Sequence, residues 1–317
     1  MKILVSPTSM CIHQDCEAMR TLKAFTDDIV ISPYPRNMTA EELMELIEDV
    51  DGVVAGTDDF NADVIAKANK LKVISRYGAG VDSVDLAAAK AKGIAVTNTP
   101  GANAQAVAEL AFGHMMALAR KTEYQSKALQ SGKWVSVVGK QMMGKTVGIL
   151  GYGNIGRRFA KMAKGLDMTV LAYDPYLSAD RIRETGAEPA TLDEIFTQAD
   201  AITVHMPLTP ETKHLIGAEA IAKMKDDVIL INTARGGIID EEAAYDGLVS
   251  GKIWGLALDV YETEPPMGSK LFELDNVIST PHAGAHTFEA VENMGNMSVK
   301  NCIDVLSGND CPFIVNR

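Results

Sequence analysis

Three residues in the second half of the chain carry side chains that could together move a proton and bind an anion. Arg235, Glu264 and His282 each lie in a segment that directly follows a short apolar run. An imidazole titrates near neutral pH and could take the proton of a hydroxyl or return it to a carbonyl. A carboxylate from Glu264 on the second ring nitrogen would fix the ring and raise its pKa.

The guanidinium of Arg235 offers planar donors that bind a carboxylate and polarise a neighbouring carbonyl. The three residues therefore suit reversible hydride transfer at a hydroxyl carbon beside a carboxylate. Taken singly, each has an ordinary structural explanation, because loops often carry a histidine, a solvated glutamate or a surface arginine.

A glycine motif indicates what would exchange the hydride. Gly151, Gly153 and Gly156 stand in the pattern GYGNIG, after an apolar run at residues 147–150 and before a helical pattern at residues 157–164. Such glycines permit a tight turn, close approach of the backbone to a pyrophosphate, and close packing of the helix on the sheet. The pyrophosphate would rest on free N–H groups at the helix N-terminus. The motif predicts a dinucleotide-binding unit, whose hydride chemistry needs no metal.

Asp174 bears on which dinucleotide binds. It follows the next apolar run, residues 170–173, near the offset of about 20 residues expected for an acid that binds ribose. A carboxylate there accepts hydrogen bonds from the ribose hydroxyls and repels a 2′-phosphate, which favours NAD. Arg181 and Arg183 leave NADP open as an alternative.

The elements that would position these residues alternate between strands and helices. Apolar runs occur at residues 3–5, 52–55, 73–75 and 94–97, and again at 146–150, 169–172, 201–205, 228–232, 255–258 and 277–279. Repeated strand, helix, strand order indicates parallel sheets. We therefore predict an α/β protein with two doubly wound sheets and with ligands at the carboxyl ends of the strands.

A break in this pattern at residues 98–101 predicts a domain boundary. A last helical pattern, residues 287–306, is followed by a short apolar tail at residues 313–315. We expect the tail to return to the first sheet. The prediction is a Rossmann cofactor domain at residues 100–286, inserted into a discontinuous, flavodoxin-like substrate domain at residues 1–99 and 287–317.

Composition argues against several classes of function. The net charge of -12 at pH 7, without a Lys/Arg cluster, disfavours nucleic acid as a partner. The four cysteines form no C-x-x-C pair, which indicates reduced thiols in a reducing compartment and no metal site. The first apolar run stops at Pro7, too early for a signal peptide, and the apolar stretch at residues 102–119 contains Glu109 and His114. We predict a cytoplasmic protein without a membrane partner.

Several motifs together resemble one family. They are RYGAGVD at 76–82, NTP at 98–100, AEL at 108–110, the glycine motif, HMPL at 205–208, NTARGG at 232–237, LDV at 258–260 and PH at 281–282. With these, nearly the whole chain resembles the D-isomer-specific 2-hydroxyacid dehydrogenases, above all the catalytic region of the D-3-phosphoglycerate dehydrogenases. The resemblance implies an NAD-dependent enzyme acting on a small 2-hydroxy or 2-keto acid, with 3-phosphoglycerate as one candidate substrate.

The resemblance also implies roles for individual residues. It assigns catalysis to Arg235, Glu264 and His282. It assigns the substrate carboxylate to backbone N–H groups around Gly78, Ala79 and Gly80. Cofactor contacts carried over by motif are Asn154, Ile155, Asp174, Met206, Thr233, Ala234, Asp259 and Gly284, beside the three glycines. The family further implies a homodimer, built by the helix at residues 104–119 and the arm through Trp134.

The chain departs from the family in three places. Where phosphoglycerate dehydrogenases carry an arginine, this chain has the sequence GTDD at residues 56–59, and carboxylates there would oppose a phosphate unless they point away. Tyr77 replaces a small residue, and its ring either lines the substrate pocket or packs in the core. The sequence stops at Arg317, so we expect no serine-sensing regulatory domain.

The remaining histidines are predicted to be structural, namely His13, His114, His205 and His214, with His205 expected nearest the cofactor. His286 either contacts substrate or, as we prefer, caps the helix that starts at Thr287.

Two other functions stay open at this stage. A non-enzymatic NAD-sensing scaffold of the corepressor type would share the fold, but such proteins add long disordered or peptide-binding segments, which this sequence lacks. A formate dehydrogenase would carry an amide side chain in place of Glu264.

Overall fold

The computed structural model describes residues 1–12 and 14–317, so His13, predicted to be structural, lies outside the described residues. The strands are β1 (Ile3–Val5), β2 (Ile29–Ile31), β3 (Gly52–Ala55), β4 (Val73–Arg76), β5 (Ala95–Thr97), β6 (Thr146–Leu150), β7 (Thr169–Tyr173), β8 (Glu188–Pro189), β9 (Ala201–Val204), β10 (Val228–Asn232), β11 (Ile253–Leu258) and β12 (Val277–Ser279). The α-helices are α1 (Thr8–Ile12), α2 (Glu17–Phe25), α3 (Ala40–Leu46), α4 (Ala62–Lys67), α5 (Leu86–Ala91), α6 (Ala104–Arg120), α7 (Thr122–Gln130), α8 (Asn154–Lys164), α9 (Ala179–Glu184), α10 (Leu192–Gln198), α11 (Ala218–Lys223), α12 (Glu241–Val249) and α13 (Phe288–Leu306).

The chain divides into two compact units. Unit 1 comprises Met1–Asn103 and His286–Arg317, and unit 2 comprises Ala104–Ala285. Unit 1 is discontinuous in sequence, whereas unit 2 is one continuous segment. Each contains a parallel sheet, which confirms the predicted α/β class with two sheets.

The sheet of unit 1 has the strand order β2-β1-β3-β4-β5, and the pairings between these five strands are parallel. Successive residues of β3 enter opposite apolar clusters, Val53 and Ala55 on one face and Val54 on the other. Both faces are therefore covered, which explains why the sequence shows an unbroken apolar run and no alternation. Strand β2, which is half-buried at the sheet edge, was not predicted from the sequence.

The apolar tail pairs with unit 1, as the sequence predicted. Ile314 forms an antiparallel bridge with Thr97, and the N–H of Val315 donates to the carbonyl of Val96 at 2.8 Å. The tail thereby covers the outer edge of β5, which would otherwise expose unpaired backbone groups.

The sheet of unit 2 has seven strands in the part of the chain that the structure describes, in the order β12-β11-β10-β9-β6-β7-β8. The prediction of six strands was wrong because β8 has two residues, one of them Pro189, and carries no apolar run. The order reverses at β6, whose neighbours are β7 and β9. Such a switch point opens a crevice at the carboxyl ends of the strands.

The helix cap predicted at His286 was also wrong. Helix α13 begins at Phe288, and its N-cap is Thr287, whose hydroxyl accepts a hydrogen bond from the N–H of Ala290 at 3.1 Å. A threonine oxygen at this position satisfies a free N–H of the first turn. His286 lies one residue earlier and is exposed.

Membrane helices, metal sites and cysteines in the described residues bear on the class of function. None of their helices combines the length and apolarity needed to cross a membrane. No group of three or more His, Cys, Asp or Glu side chains among them lies together as a metal site would require. All four cysteines are free thiols.

Candidate active site

The glycine motif of unit 2 forms the turn between β6 and α8. Gly151 has φ +92°, and a Cβ there would lie 2.5 Å from the carbonyl oxygen of His205. A Cβ on Gly156 would lie 2.3 Å from the carbonyl oxygen of Gly151. The fold therefore requires glycine at both positions, because backbone atoms cannot shift to make room for a Cβ without a large cost in free energy.

Gly153 differs because a Cβ there would meet nothing within 4 Å. It is the N-cap of α8, an 11-residue helix, and makes no side-chain cap. Its open side and the free N–H groups of the first helical turn fit the pyrophosphate of a dinucleotide. The fold does not need glycine at this position, so a bound ligand accounts for it better than packing does.

Asp174 lies just beyond the end of β7, where an acid that binds ribose is expected. Its Oδ2 accepts from the N–H of Tyr152 at 2.9 Å and its Oδ1 from the N–H of Tyr176 at 2.9 Å. These bonds fix the carboxylate beside the glycine motif and leave a lone pair on each oxygen for ribose hydroxyls.

The arginines that left NADP open are engaged within α9. Arg181 forms an ion pair with Glu184 at 3.0 Å, and Arg183 forms one with Asp180 at 3.0 Å. Both pairs lie on the exposed surface. Paired guanidiniums are less suited to a 2′-phosphate, so this geometry also favours NAD.

The other predicted cofactor residues lie after β9, β10, β11 and β12 or at the start of α8, with Gly284 buried after β12. Met206, Thr233 and Ala234 are buried, and the hydroxyl oxygen of Thr233 is buried without a partner among the described residues. An orphaned buried hydroxyl is costly and indicates a missing ligand or water. Asn154 is exposed and Ile155 half-buried at the start of α8.

His205 has the structural role that the sequence predicted. The residue is half-buried with its ring nitrogen Nδ1 shielded from solvent, and loss of solvation lowers the pKa of its imidazole to about 3, so the ring is neutral. Its Nε2 lies 3.0 Å from the hydroxyl of Thr203, and its ring packs against Phe159. The backbone carbonyl of His205 lies against Gly151, so this residue also packs against the glycine turn.

His282 and Glu264 form a hydrogen-bonded pair in unit 2. His282 Nδ1 and Glu264 Oε2 are 2.9 Å apart, and both side chains are partly exposed. Burial favours the protonated form of Glu264, but the hydrogen bond and charge of His282, the N–H of Tyr261 and the charge of Arg235 together lower its pKa below the ordinary 4.5. The carboxylate therefore stays ionised above that pH, and it takes up a proton only as the pH falls through the lowered pKa.

Arg235 is oriented by the turn after β10. Asn232 is 1% exposed, and its amide bridges the turn, accepting from the N–H of Ala234 at 3.0 Å and donating to the carbonyl of Arg235 at 2.8 Å. A Cβ on Gly236 would lie 1.8 Å from the carbonyl oxygen of Tyr261. The turn that carries Arg235 thus packs directly on the segment that carries Glu264.

Asp259 organises the loop that carries His282. Its carboxylate is 1% exposed and accepts from the hydroxyl of Thr280 at 2.6 Å, the N–H of Ala283 at 2.7 Å and the N–H of Gly284 at 2.8 Å. The backbone N–H of His282 donates to the carbonyl of Asp259 at 2.9 Å. Asp259 was predicted only as a cofactor contact, and its anchoring role was not predicted, although an acid directly after a buried strand was a signal for it.

A second anchor, which the sequence analysis also missed, joins α12 to the segment before Glu264. Glu262 Oε1 accepts from the N–H of Glu241 at 3.2 Å, and the N–H of Glu262 donates to Glu241 Oε1 at 2.7 Å. His214 Nε2 lies 3.2 Å from the same Glu262 oxygen. No spacing pattern connects these three residues, so their contact could not be predicted from the sequence.

In unit 1, the structure favours the packing role of Tyr77. Its hydroxyl donates to the carbonyl of Val291 at 2.9 Å and accepts from the hydroxyl of Ser9 at 3.1 Å. Its ring packs against the apolar cluster around α13, and burial raises its pKa to about 12. The side chain is held on both ends by unit 1.

Asp58, one of the two carboxylates expected to oppose a phosphate, is directed into unit 1. It is 1% exposed, and its oxygens accept from the hydroxyl of Ser6 and, at 2.7 Å, from the N–H of Met38. Burial raises its pKa against these hydrogen bonds and the charge of Arg76. Asp59 is exposed and accepts a hydrogen bond from Asn61.

Comparison with known proteins identifies the family. The model for the D-isomer specific 2-hydroxyacid dehydrogenase, NAD binding domain, matches residues 112–284. The chain is 47% identical over 265 residues to a hydroxypyruvate reductase from Thermotoga maritima, covering 82% of this chain and 86% of that protein. The chain belongs to the D-isomer specific 2-hydroxyacid dehydrogenase family. It is thus an NAD-dependent oxidoreductase acting on the CH–OH group of a 2-hydroxy acid, which confirms the predicted enzyme over the scaffold alternative.

The chain is also similar to two further proteins of known name. It is 45% identical over 321 residues to a D-3-phosphoglycerate dehydrogenase from Methanocaldococcus jannaschii, a match that covers 100% of this chain but 59% of that protein. A crystal structure of D-lactate dehydrogenase from Aquifex aeolicus, complexed with NAD and lactic acid, superposes with a TM-score of 0.84 at 28% identity, covering 97% of this chain and 96% of that chain.

The two kinds of glycine in the motif lead to a prediction for this dehydrogenase. Gly153→Ala is expected to keep the Tm of the protein within a few degrees and to raise the Kd for NADH about tenfold, because the new methyl group occupies the open side that the pyrophosphate approaches. Gly156→Ala, by contrast, places its methyl group against backbone and is expected to lower the Tm sharply. Thermal melts and NADH titration by fluorescence measure both effects. An unchanged Kd in Gly153→Ala would show that the cofactor does not approach there.

Proposed function

We propose that the enzyme reduces a small, unphosphorylated 2-keto acid with NADH, with hydroxypyruvate as the first candidate. The observation that carries this proposal is the 2.9 Å contact between His282 Nδ1 and Glu264 Oε2, in a unit that also presents Arg235 and the glycine motif. It supplies a proton donor held by an ionised carboxylate, as the reduction of a keto group requires.

Each of the three residues has a definite task in the proposed reaction. Bound NADH supplies the hydride to the keto carbon. Nε2 of His282 gives its proton to the keto oxygen, and Glu264 holds the ring through Nδ1 and stabilises its charged form. Arg235 attracts the growing negative charge on the oxygen and binds the carboxylate. Oxidation runs the same steps in reverse, with His282 taking the hydroxyl proton.

The choice of an unphosphorylated substrate rests on residues 56–59. This segment contains two carboxylates and no cation, and Asp58 is already bonded to Ser6 and Met38 inside unit 1. Nothing in this segment compensates the charge of a phosphate. The similar hydroxypyruvate reductase supports the same choice, whereas the similar phosphoglycerate dehydrogenase favours the phosphorylated acid.

A substrate panel decides between these acids. With NADH and matched concentrations, we expect hydroxypyruvate or glyoxylate to give a kcat/KM at least about tenfold above that of phosphohydroxypyruvate, because the phosphate finds no cation at residues 56–59. The decrease in NADH absorbance measures each rate. A preference for phosphohydroxypyruvate would overturn the proposed substrate class while leaving the catalytic residues untouched.

The catalytic assignment is tested with two variants at the paired residues. His282→Ala is expected to lower kcat by about 100-fold or more, because the proton donor is lost. Glu264→Gln keeps the shape but loses the charge that stabilises the imidazolium. We expect a smaller loss in kcat, and the loss of activity that the wild-type enzyme shows as the pH falls through the lowered pKa of Glu264 should be absent.

Both of these variants should bind NADH with the Kd of the wild-type enzyme, measured by fluorescence titration. Near-normal turnover in His282→Ala would contradict the assignment. An unshifted pH profile in Glu264→Gln would contradict the role of its charge.

We further propose that the enzyme works as a cytoplasmic homodimer without a nucleic-acid partner. Apolar side chains on α7 and on the following arm support the dimer, since Leu129, Trp134 and Val138 are 58%, 91% and 89% exposed. The free cysteines support a reducing compartment, and the net charge of -12 opposes nucleic acid.

Light scattering tests the dimer. We expect a mass of about twice the 34.0 kDa of one chain, and about one chain for the double variant Trp134→Asp, Val138→Asp, because two charges would be buried in an apolar interface. Met267 is also apolar and 81% exposed in unit 2, so Met267→Asp is the matched control and should remain dimeric. A monomeric wild-type protein would contradict the proposal.

A further inference from the structure

The loop at residues 78–80 is held from behind by donors of its own unit. Each of its carbonyl oxygens accepts a hydrogen bond from a different residue. The pairs are Gly78 with the N–H of Thr99 at 2.9 Å, Ala79 with the side-chain amide of Asn98 at 2.7 Å, and Gly80 with Nε of Arg76 at 3.2 Å. Gly78 has φ +152°, which a side chain would disfavour, so the loop reaches this arrangement through glycine.

Fixing these carbonyls also fixes the N–H groups of the loop. A trans peptide is planar, so its N–H points opposite to its C=O. The three hydrogen bonds therefore turn the N–H groups of Ala79, Gly80 and Val81 away from the donors that hold the loop. Within residues 1–12 and 14–317, none of these three N–H groups donates to a protein acceptor. Free N–H groups held in fixed directions are suited to an anion.

Asn98 is the donor most specific to this loop. The hydrogen bond from Thr99 comes from its backbone N–H, and the side chain of Arg76 also donates to the carbonyl of Ala55 at 2.7 Å. Asn98 uses its amide on Ala79, while its own carbonyl accepts from Asn301 at 3.0 Å. Its N–H donates to the carbonyl of Phe313 at 3.3 Å. The residue is thus tied to β5, α13 and the tail, with its amide left for the loop.

We propose that Asn98 is a positioning residue for substrate recognition. Its amide turns the peptide between Ala79 and Gly80 so that the N–H of Gly80 faces the carboxylate of a 2-keto acid. The inference rests on the proposed function, in which this loop binds the carboxylate. Asn98 touches neither substrate nor cofactor in this role and acts only through the loop.

The test compares two asparagines that each donate to a backbone carbonyl of unit 1. Asn98→Ala is expected to raise the KM for hydroxypyruvate and the Kd for oxamate, a non-reacting carboxylate analogue, by about tenfold. The Kd for NADH should be unchanged, and kcat should fall less than about threefold, because the reacting groups lie on other residues.

The control is Asn316, whose amide donates to the carbonyl of Ile94 at 2.8 Å and accepts from the N–H of Val96 at 2.9 Å. Asn316→Ala removes an amide-to-carbonyl bond of the same kind and one further bond at the same strand, β5, and should lower Tm at least as much without changing KM or the oxamate Kd. If Asn98→Ala does not fold, Asn98→Ser is tested in its place. The serine hydroxyl lies one bond short of the position of the amide nitrogen, so the bond to Ala79 is still lost.

The outcomes separate the two proposals. If the NADH-loaded wild-type enzyme neither reduces hydroxypyruvate nor binds oxamate, the proposed function is wrong. If the wild-type enzyme does both and Asn98→Ala behaves like Asn316→Ala, whether both raise KM or neither does, the positioning role is wrong.

Discussion

The candidate active site of unit 2 depends on the buried carboxylate of Asp259. A carboxylate removed from water is costly unless donors replace the lost solvation. Here a hydroxyl and two backbone N–H groups from residues 280–284 do so, and they also determine the path of the loop that bears His282. His282 has φ +50°, an uncommon conformation for a residue with a side chain, and the hydrogen bonds around it make that conformation tolerable.

The candidate cofactor site depends instead on the absence of side chains at the three glycines of the motif. Gly151 and Gly156 are small because backbone atoms already occupy the space where a Cβ would be. Gly153 is small although space is available. Together with the unpartnered hydroxyl of Thr233, the open position indicates where polar ligand groups would complete hydrogen bonds that the protein leaves unfilled.

The sequence was sufficient wherever one physical rule governed a residue locally. Apolar runs located ten of the strands because strands buried on both faces need continuous hydrophobicity. It failed at β2 and β8, whose edge positions remove that requirement, and at His286, because a neighbouring threonine is the better cap. The direction of the Asp58 carboxylate, the contact of Glu241 with Glu262 and the amide of Asn98 could not be predicted. Each depends on residues brought together from distant parts of the chain, and no spacing records such contacts.

The bridge between Thr97 and Ile314 has a consequence for synthesis on the ribosome. The sheet of unit 1 needs a segment that follows unit 2 in the sequence to cover its β5 edge, so all of unit 2 is synthesised before that edge can be covered. Unit 2 is continuous and can fold as soon as it has left the exit tunnel, since domains generally fold as units. Until the tail has been synthesised, the β5 edge of unit 1 stays uncovered. An arrest of translation before residue 313 would therefore leave a folded nucleotide-binding unit attached to a unit 1 whose open strand edge is prone to aggregation.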